Sequence, residues 1–427
     1  MHARITRKSN IRFICLVLFL ICTHNALSLE LTIKDAEQVA IQNDPLIIKF
    51  QAKSAAYMEE AVAESQLPDP KLRIGTMNVP VNSFDFKAEP MTQIVLGVQQ
   101  AIPPGGLRAQ KREKRLLQAE IQRAAFMSRA LQVLRNLRKS WMEVYYFNQA
   151  LALVEESKEV FDQLVKITQY QYRAGRGQQQ DVVRAQLELS LLEDKELQIH
   201  QQKETSVAEM EKWTGASVRQ HSLSLLFPEL PKLPGIEEMT ENIEFHPAMA
   251  GQKAKLGTAR KDVAIVKEGY KPTWMVDVSY GLRLGENMVE GEAVKRSDFV
   301  SAMVSMNLPF FTEKRQDKRL NARGHELNAA SDAVDAKRRD LKRVLDTAYA
   351  NWDRLGQRLE FYKATVLPQA SQFAEASRKA YQSHVSDFSE LVRARLRQLD
   401  SNLQALRIRV DRAKFHYDLQ YIVGEEI

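Results

Sequence analysis

Residues 273–308 read TWMVDVSYGLRLGENMVEGEAVKRSDFVSAMVSMNL. In the opening run Trp274, Val276, Val278, Tyr280 and Leu282 fall on one face, and Met275, Asp277, Ser279 and Gly281 on the other. In the closing run Val300, Ala302, Val304, Met306 and Leu308 share a face. A period of two is the strand signature, because successive side chains of an extended chain point to opposite sides. Each run is roughly 9–11 residues, enough for a tilted strand to cross a bilayer. The stretch predicts strands at 273–283 and 299–308 joined by a polar loop at 284–298.

An earlier stretch repeats the pattern. Residues 71–102 give strands at 71–79 and 92–102 around a polar loop near 80–90. In the second of these, Ile94, Leu96 and Val98 point one way, and Gln93, Val95, Gly97 and Gln99 the other. Other landmarks recur too. Asp44-Pro45 matches His246-Pro247, and Pro70 matches Pro272, at an offset of 202. Ile102-Pro103 matches Leu308-Pro309 at 206. Tyr172 matches Tyr381, and Val183-Arg184-Ala185 matches Val392-Arg393-Ala394, at 209. An offset that drifts in small steps is the mark of an internal duplication with loop insertions. The chain divides into a first repeat at 29–215, a Leu- and Pro-rich linker at 216–236, and a second repeat at 237–427.

Nearly everything else predicts helix. In 31–66, Thr32 and Asp35 form a capping box, and Asp44-Pro45 interrupts the helix. After Pro103-Pro104-Gly105-Gly106 no Pro or Gly occurs until Gly175. The intervening 107–172 would be a helix on the order of 95–100 Å long. Its apolar residues, among them Leu117, Ile121, Leu131, Leu134, Trp141 and Tyr145, suggest a coiled-coil-like seam. A turn at Gly175 and Gly177 leads to a helix at 178–213. The second repeat predicts helices at 237–270, 312–382 and 386–422, with Pro368 bending or breaking the long one. In each half two helices of about 35 residues would match one of 65–70 if stacked end to end. Four strands cannot close a membrane barrel, whose smallest known form has eight, and open edges are not tolerated in lipid. Closure needs several chains, and three would supply twelve strands.

The 427 residues carry 61 Lys+Arg and 54 Asp+Glu, a net +7. Four of the basic residues, Arg4, Arg7, Lys8 and Arg12, precede the apolar run FICLVLFLIC at 13–22, and removing them lowers +7 to +3. Residues 1–28 read as a secretory signal peptide, with small residues at Ala26 and Ser28 before a cut. A membrane anchor is the other reading, for which the apolar run is short. Bulky Ile21 disfavours lipidation at Cys22. Both cysteines, Cys15 and Cys22, fall in this segment, so the mature chain has no thiol chemistry. The weak mature charge argues against a nucleic-acid partner. The histidines form no HExxH or close cluster, and Pro103-Pro104-Gly105-Gly106 lacks the Lys-Ser/Thr of a phosphate loop. No compact acid pair is evident. The sequence predicts no enzyme, no cofactor and no metal site. The basic run Arg108, Lys111, Arg112, Lys114 and Arg115 reads either as a contact to lipid headgroups or the lumen, or as a solvated helix start.

The duplication, the Leu31-Thr32-Ile33-Lys34-Asp35-Ala36 start and the paired turns resemble the TolC-type outer membrane channel family, the outer membrane factors. The turns are Tyr172-Arg173-Ala174-Gly175 with Asp181, then Tyr381 with Glu390-Leu391 and Ala394. The resemblance spans essentially the whole mature chain. Leu67-Pro68-Asp69-Pro70-Lys71-Leu72 and Ile102-Pro103-Pro104-Gly105-Gly106 resemble the heavy-metal efflux branch. The family implies a mainly α protein with a membrane β-barrel. It would be a homotrimer whose twelve-stranded barrel, four strands per chain, sits in outer membrane lipid on a long periplasmic α-helical tunnel. Implied partners are a periplasmic adaptor (membrane fusion) protein and an inner-membrane transporter of RND type. The duct itself would be passive.

The family's inner gate maps to Asp181, Arg184, Glu390 and Arg393, and its turn signatures to Tyr172, Gly175, Tyr381 and His384. His384 stands where the family pattern has Gly, and Arg393 where a second acid is common. Three copies of Glu390 would favour cations. Arg393 would offset that field, or bind an acid and hold the pore shut. Asp181 and Glu390 also suit a helix start on their own. On the strands, Gln93, Asp277 and Ser279 are expected to face the lumen. Ile94, Leu96, Val98, Trp274, Val276 and Tyr280 are expected to face the membrane, with Trp274 and Tyr280 at the interfaces. The alternative is a periplasmic adaptor or coiled-coil structural protein without a pore, although adaptors carry several β modules and only four strand candidates are visible here.

Overall fold

The computed structural model describes residues 31–215, 218, 223 and 226–424. The predicted signal peptide, with Cys15 and Cys22, lies outside the described residues. In chain order the elements are α1 (Ile33–Asn43), α2 (Pro45–Glu64), β1 (Lys71–Met77), β2 (Gln93–Ile102), α3 (Leu107–Arg173) and α4 (Gln179–Thr214). There follow α5 (Ile236–Asn242), α6 (Pro247–Glu268), β3 (Trp274–Leu282), β4 (Glu286–Val289), β5 (Glu292–Lys295) and β6 (Phe299–Met306). The last helices are α7 (Gln316–Phe361), α8 (Leu367–Gln382) and α9 (Phe388–Val423).

Local chemistry explains the boundaries. The Asp35 N–H donates to Thr32 Oγ1 at 3.3 Å and the Thr32 N–H donates to Asp35 Oδ2 at 3.2 Å, so the capping box forms. Pro45 opens α2 and Pro247 opens α6, where a missing N–H costs nothing. His246 Nδ1 accepts the Ala248 N–H at 3.1 Å and caps α6. With no internal Pro or Gly, α3 runs unbroken for 67 residues. Pro368 does not break its counterpart. A π-turn at Tyr362–Val366 lies just before it, and residues 316–382 stay helical throughout. A wider turn is a known way to absorb a misfitting residue in a helix. The stretch expected as a loop at 284–298 contains the β4–β5 hairpin. Its two turn residues, Glu290 and Gly291, both have positive φ (52° and 88°), as a type I′ turn demands.

The chain forms two compact units, each drawing on both sequence repeats. The first comprises residues up to 44 together with 133–231 and 353–414. It is helical, and its core joins Phe147, Phe161 and Leu164 of α3, Leu192 and Ile199 of α4, and Phe388, Leu391 and Leu399 of α9. The second comprises 45–132, 232–352 and 415–427. Its helical core packs Met239, Ile243 and Met249 against Leu341 and Leu345 of α7 and Leu419 and Ile422 at the end of α9. It also holds the one four-stranded sheet among the described residues, in the order β1-β2-β3-β6 with every pair antiparallel.

Candidate functional site

The central pair of the sheet joins the repeats. β2 of the first meets β3 of the second, with Val98 opposite Val278 and Gln99 opposite Asp277. This register puts Leu72 and Ile74 of β1 on the face of Leu96 and Val98, beside Val278, Tyr280, Val300 and Val304. All of these are exposed apolar or aromatic side chains. Ile94, Trp274 and Val276 lie on the same face, with Trp274 also exposed. A contiguous apolar face of this size marks contact with lipid or another protein. The Tyr280 hydroxyl donates to Asp298 Oδ2 at 2.5 Å, so its polar tip is held at the strand end.

The opposite face carries Gln93, Val95, Gly97, Asp277, Ser279 and Gly281. Asp277 is buried, and its Oδ1 accepts from Arg73 Nη2 at 2.8 Å. Arg73 stands on β1 opposite Gly97, and Gly97 stands opposite Ser279. A Cβ at Gly97 would lie 2.9 Å from the Ser279 Cβ, so only glycine fits that strand crossing. The Gln93 side chain covers Gly281 in the same way. Sequence reading assigned Asp277 to this face and missed Arg73. The signal was available, since Lys71, Arg73 and Gly75 alternate with Leu72 and Ile74. Three of the five basic residues opening α3 are ion-paired, Arg108 donates to the Ser65 carbonyl at 3.1 Å, and Arg112 is exposed. Lys111 pairs with Glu64 at 2.9 Å, Lys114 with Asp262 at 2.6 Å, and Arg115 with Glu60 and Glu64 at 3.0 and 3.2 Å.

The gate candidates lie in the helical unit, at two equivalent turns. Between α3 and α4 the Ala174, Gly175 and Arg176 N–H groups donate to the carbonyls of Tyr170, Tyr172 and Gln171. Between α8 and α9 Ser383, His384 and Val385 donate to Lys379, Tyr381 and Ala380, the same pattern 209 residues on. Gly175 (φ 69°) and His384 (φ 57°) both adopt the left-handed conformation. His384 therefore keeps the turn where the family pattern has Gly, at a cost of about 1 kcal/mol. Tyr172 is exposed, whereas Tyr381 packs on Phe388 with ring centroids 5.6 Å apart. The Tyr381 hydroxyl donates to Gln171 Oε1 at 2.7 Å, tying the end of α8 to the end of α3. Burial, reinforced by Asp181, pushes that hydroxyl above the usual tyrosine range and keeps it a donor.

Glu390 and Arg393 pair at 2.9 Å, but both lie one turn apart on α9, so the link does not cross the turn. Beside the turns α4 meets α9 through the Arg184 guanidinium on the Ser389 hydroxyl, and further along Lys195 reaches Asp400 at 3.5 Å. Burial pushes the Asp181 carboxyl up; Arg184 pulls it down and Asp387 pushes it further up.

Among the described residues no group of three or more His, Cys, Asp or Glu side chains is placed to hold a metal ion. No described helix is long and apolar enough to cross a membrane. The family described as outer membrane efflux protein matches residues 37–216 and 240–425. The chain belongs to this family, the TolC-type channels whose turns and duplication its sequence shares. No individual curated protein matches in sequence at a significant level. Among solved structures, a membrane protein from Pseudomonas aeruginosa is similar with TM-score 0.78 and 14% identity, over 92% of each chain. CusC is similar with TM-score 0.79 and 12% identity, over 93% of each chain. VceC from Vibrio cholerae is similar with TM-score 0.76 and 12% identity, over 92% of this chain and 96% of that one. At such identities the likeness is one of fold: long helices, short strands and one four-stranded sheet per chain.

Proposed function

We propose that three copies of this chain form a passive outer membrane exit channel, fed through a periplasmic adaptor by an inner-membrane transporter of RND type. The observation that carries the reading is the sheet. It has one continuous apolar face and a polar face holding Arg73, Asp277 and Ser279, and among the described residues neither β1 nor β6 has a partner on its outer side. Such edges cannot stay open in lipid. Pairing β6 of one copy with β1 of the next closes twelve strands around a polar lumen. Energy for export comes from the transporter. Metal cations are the cargo favoured by the segments at 67–72 and 102–106, which resemble the heavy-metal branch.

The gate in this reading is the pair of turns. Tyr381–Gln171 and Arg184–Ser389 tie helix to helix, and three copies of Glu390, each beside Arg393, set the charge at the constriction. The test is fractionation followed by recording in planar bilayers. A heat-modifiable trimer in outer membranes that conducts ions is the expected result. A soluble periplasmic monomer would sink the proposal. Loss of tolerance to metal salts in a strain lacking the chain, restored by the parent gene, is expected if metals are the cargo; unchanged tolerance would remove them.

A further inference from the structure

Besides the β4–β5 hairpin, the two repeats differ where a strand hands over to a long helix. Between Ile102 and Leu107 the first repeat has Pro103-Pro104-Gly105-Gly106. Between Leu308 and Gln316 the second has Pro309-Phe310-Phe311-Thr312-Glu313-Lys314-Arg315, three residues more. The longer junction carries two of the most exposed aromatic side chains in the chain, Phe310 at 76% and Phe311 at 86%. They continue the apolar run of Val300, Val304, Met306 and Leu308, all exposed.

Charge distinguishes the junctions further. At the first, Lys111, Lys114 and Arg115 are neutralised by Glu60, Glu64 and Asp262. At the second, Lys314, Arg315, Lys318 and Arg319 are all exposed, and none has an ion-pair partner among the described residues. Asp317, which accepts from the Tyr270 hydroxyl at 2.6 Å, and exposed Glu313 keep their charge, so residues 313–319 carry a net +2. Four unpaired cations within six residues repel one another, and two phenyl rings in water gain nothing. A surface that offers both at once matches one environment: the boundary of a bilayer, where rings sit among the acyl chains and cations meet phosphates.

We infer that Phe310, Phe311, Lys314, Arg315, Lys318 and Arg319 form a binding surface for anionic glycerophospholipids of the membrane leaflet next to the helices. The inference rests on the channel reading above. The rival occupant is a second copy of the chain brought alongside β6. If its β1 were that neighbour, the segment leading into it, Gln66-Leu67-Pro68-Asp69-Pro70-Lys71, would bring one carboxylate and one ammonium. That segment has no net charge and does not offset the +2 of residues 313–319, so phosphate is the better complement.

Native mass spectrometry of the full chain, released from detergent in the presence of phosphatidylglycerol or phosphatidylcholine of the same acyl composition, tests this. The parent is expected to retain phosphatidylglycerol in preference. Replacing all four cations by Gln is expected to weaken that retention at least about tenfold and to leave phosphatidylcholine unchanged. Phe310→Ser with Phe311→Ser is expected to weaken both lipids. Removing the exposed cations Lys342 and Arg343 elsewhere on α7 is expected to change neither. Parent-like retention by the four-cation variant overturns the inference, and so does loss of the trimer in that variant, which would make a second copy the occupant. Channel currents from the same preparations keep the two readings apart. Unchanged currents with a lost lipid preference support the inference. Unchanged currents with an unchanged preference overturn it and leave the channel standing. A parent that conducts nothing overturns both.

Discussion

Tyr381→Phe is the sharpest probe of the proposed gate. The substitution keeps the ring against Phe388 and removes only the hydroxyl that donates to Gln171 Oε1 at 2.7 Å. A part-buried neutral hydrogen bond is worth about 1 kcal/mol net, and the abandoned amide oxygen can recover some of that from water. Three copies acting on one gate would lose about 3 kcal/mol, roughly a hundredfold shift toward the open state at 1.4 kcal/mol per tenfold. Arg393→Ala makes the comparison. Its guanidinium is 67% exposed and its Glu390 partner 39%, and the two ride on one helix. Such a pair is worth about 0.3–0.5 kcal/mol, so three copies change the occupancy by no more than about tenfold. The assay is single-channel recording in planar bilayers, with thermal unfolding of the same samples to confirm that the turn folds. A parent-like Tyr381→Phe channel beside a wide-open Arg393→Ala channel would refute the reasoning, because it would place the latch in the link that does not join two helices.

Three further outcomes follow from the same geometry. In the helical unit Glu143 accepts from both Arg407 Nη atoms at 2.8 Å and also meets Lys414, while Arg407 reaches Asp411 at 2.6 Å. Burial opposes ionisation of Glu143, but these cations win and hold its carboxyl below the usual range. Glu143→Ala strands two cations in a half-buried site and should cost about 2–3 kcal/mol, with a double-mutant cycle against Arg407→Ala giving a coupling above about 1 kcal/mol. His384→Gly relieves the left-handed strain and should stabilise the unit by about 0.5–1 kcal/mol by denaturant midpoint, whereas Gly175→Ala should destabilise it by a similar amount. Acidification should act in opposite senses on two sites. Asp181 is raised above 3.8, so its turn gains stability as pH falls through the window just above that value, and Asp181→Asn should abolish the gain. Glu244 is held down at about 2, first by Arg338 and then by Lys253, so its contribution is complete above 4.5 and is lost as pH falls toward 2. Hydrogen exchange at the two segments, followed against pH, reads both.

What the sequence revealed depended on how strongly one residue constrains its neighbours. Alternation in Trp274–Leu282 is strict, with one face apolar and the other polar, so strand and faces were legible. The β4–β5 hairpin was not. Its strands are four residues each, all exposed, and its turn is Glu290-Gly291 rather than the usual Asn-Gly, so no burial pattern or turn signal stood out. Thr32 and Asp35 announced their cap because capping is local. Arg73–Asp277 joins residues 204 apart through a register that only the folded sheet fixes. The turn at His384 was expected to depart from the family pattern. It departs in residue type alone, because the same three backbone hydrogen bonds form in each turn and hold either residue in the same conformation.

The drift of the repeat offset has a physical cause that the elements expose. Adding one residue to a packed helix turns every later side chain by about 100°, so a long helix keeps its buried face after an insertion only if a local defect such as a π-turn absorbs it. The helical spans 107–173 and 316–382 keep a constant offset of 209 from end to end. The step from 202 to 206 falls between the strands of each pair, where the second repeat carries β4 and β5. The step from 206 to 209 falls between β6 and α7, in the segment of Phe310, Phe311, Lys314 and Arg315. Duplication fixed the helices, and divergence was left to the strand connections and the strand–helix junction. A lipid-binding role at that junction accounts for why the added residues there are aromatic and basic, when a mere spacer would need neither.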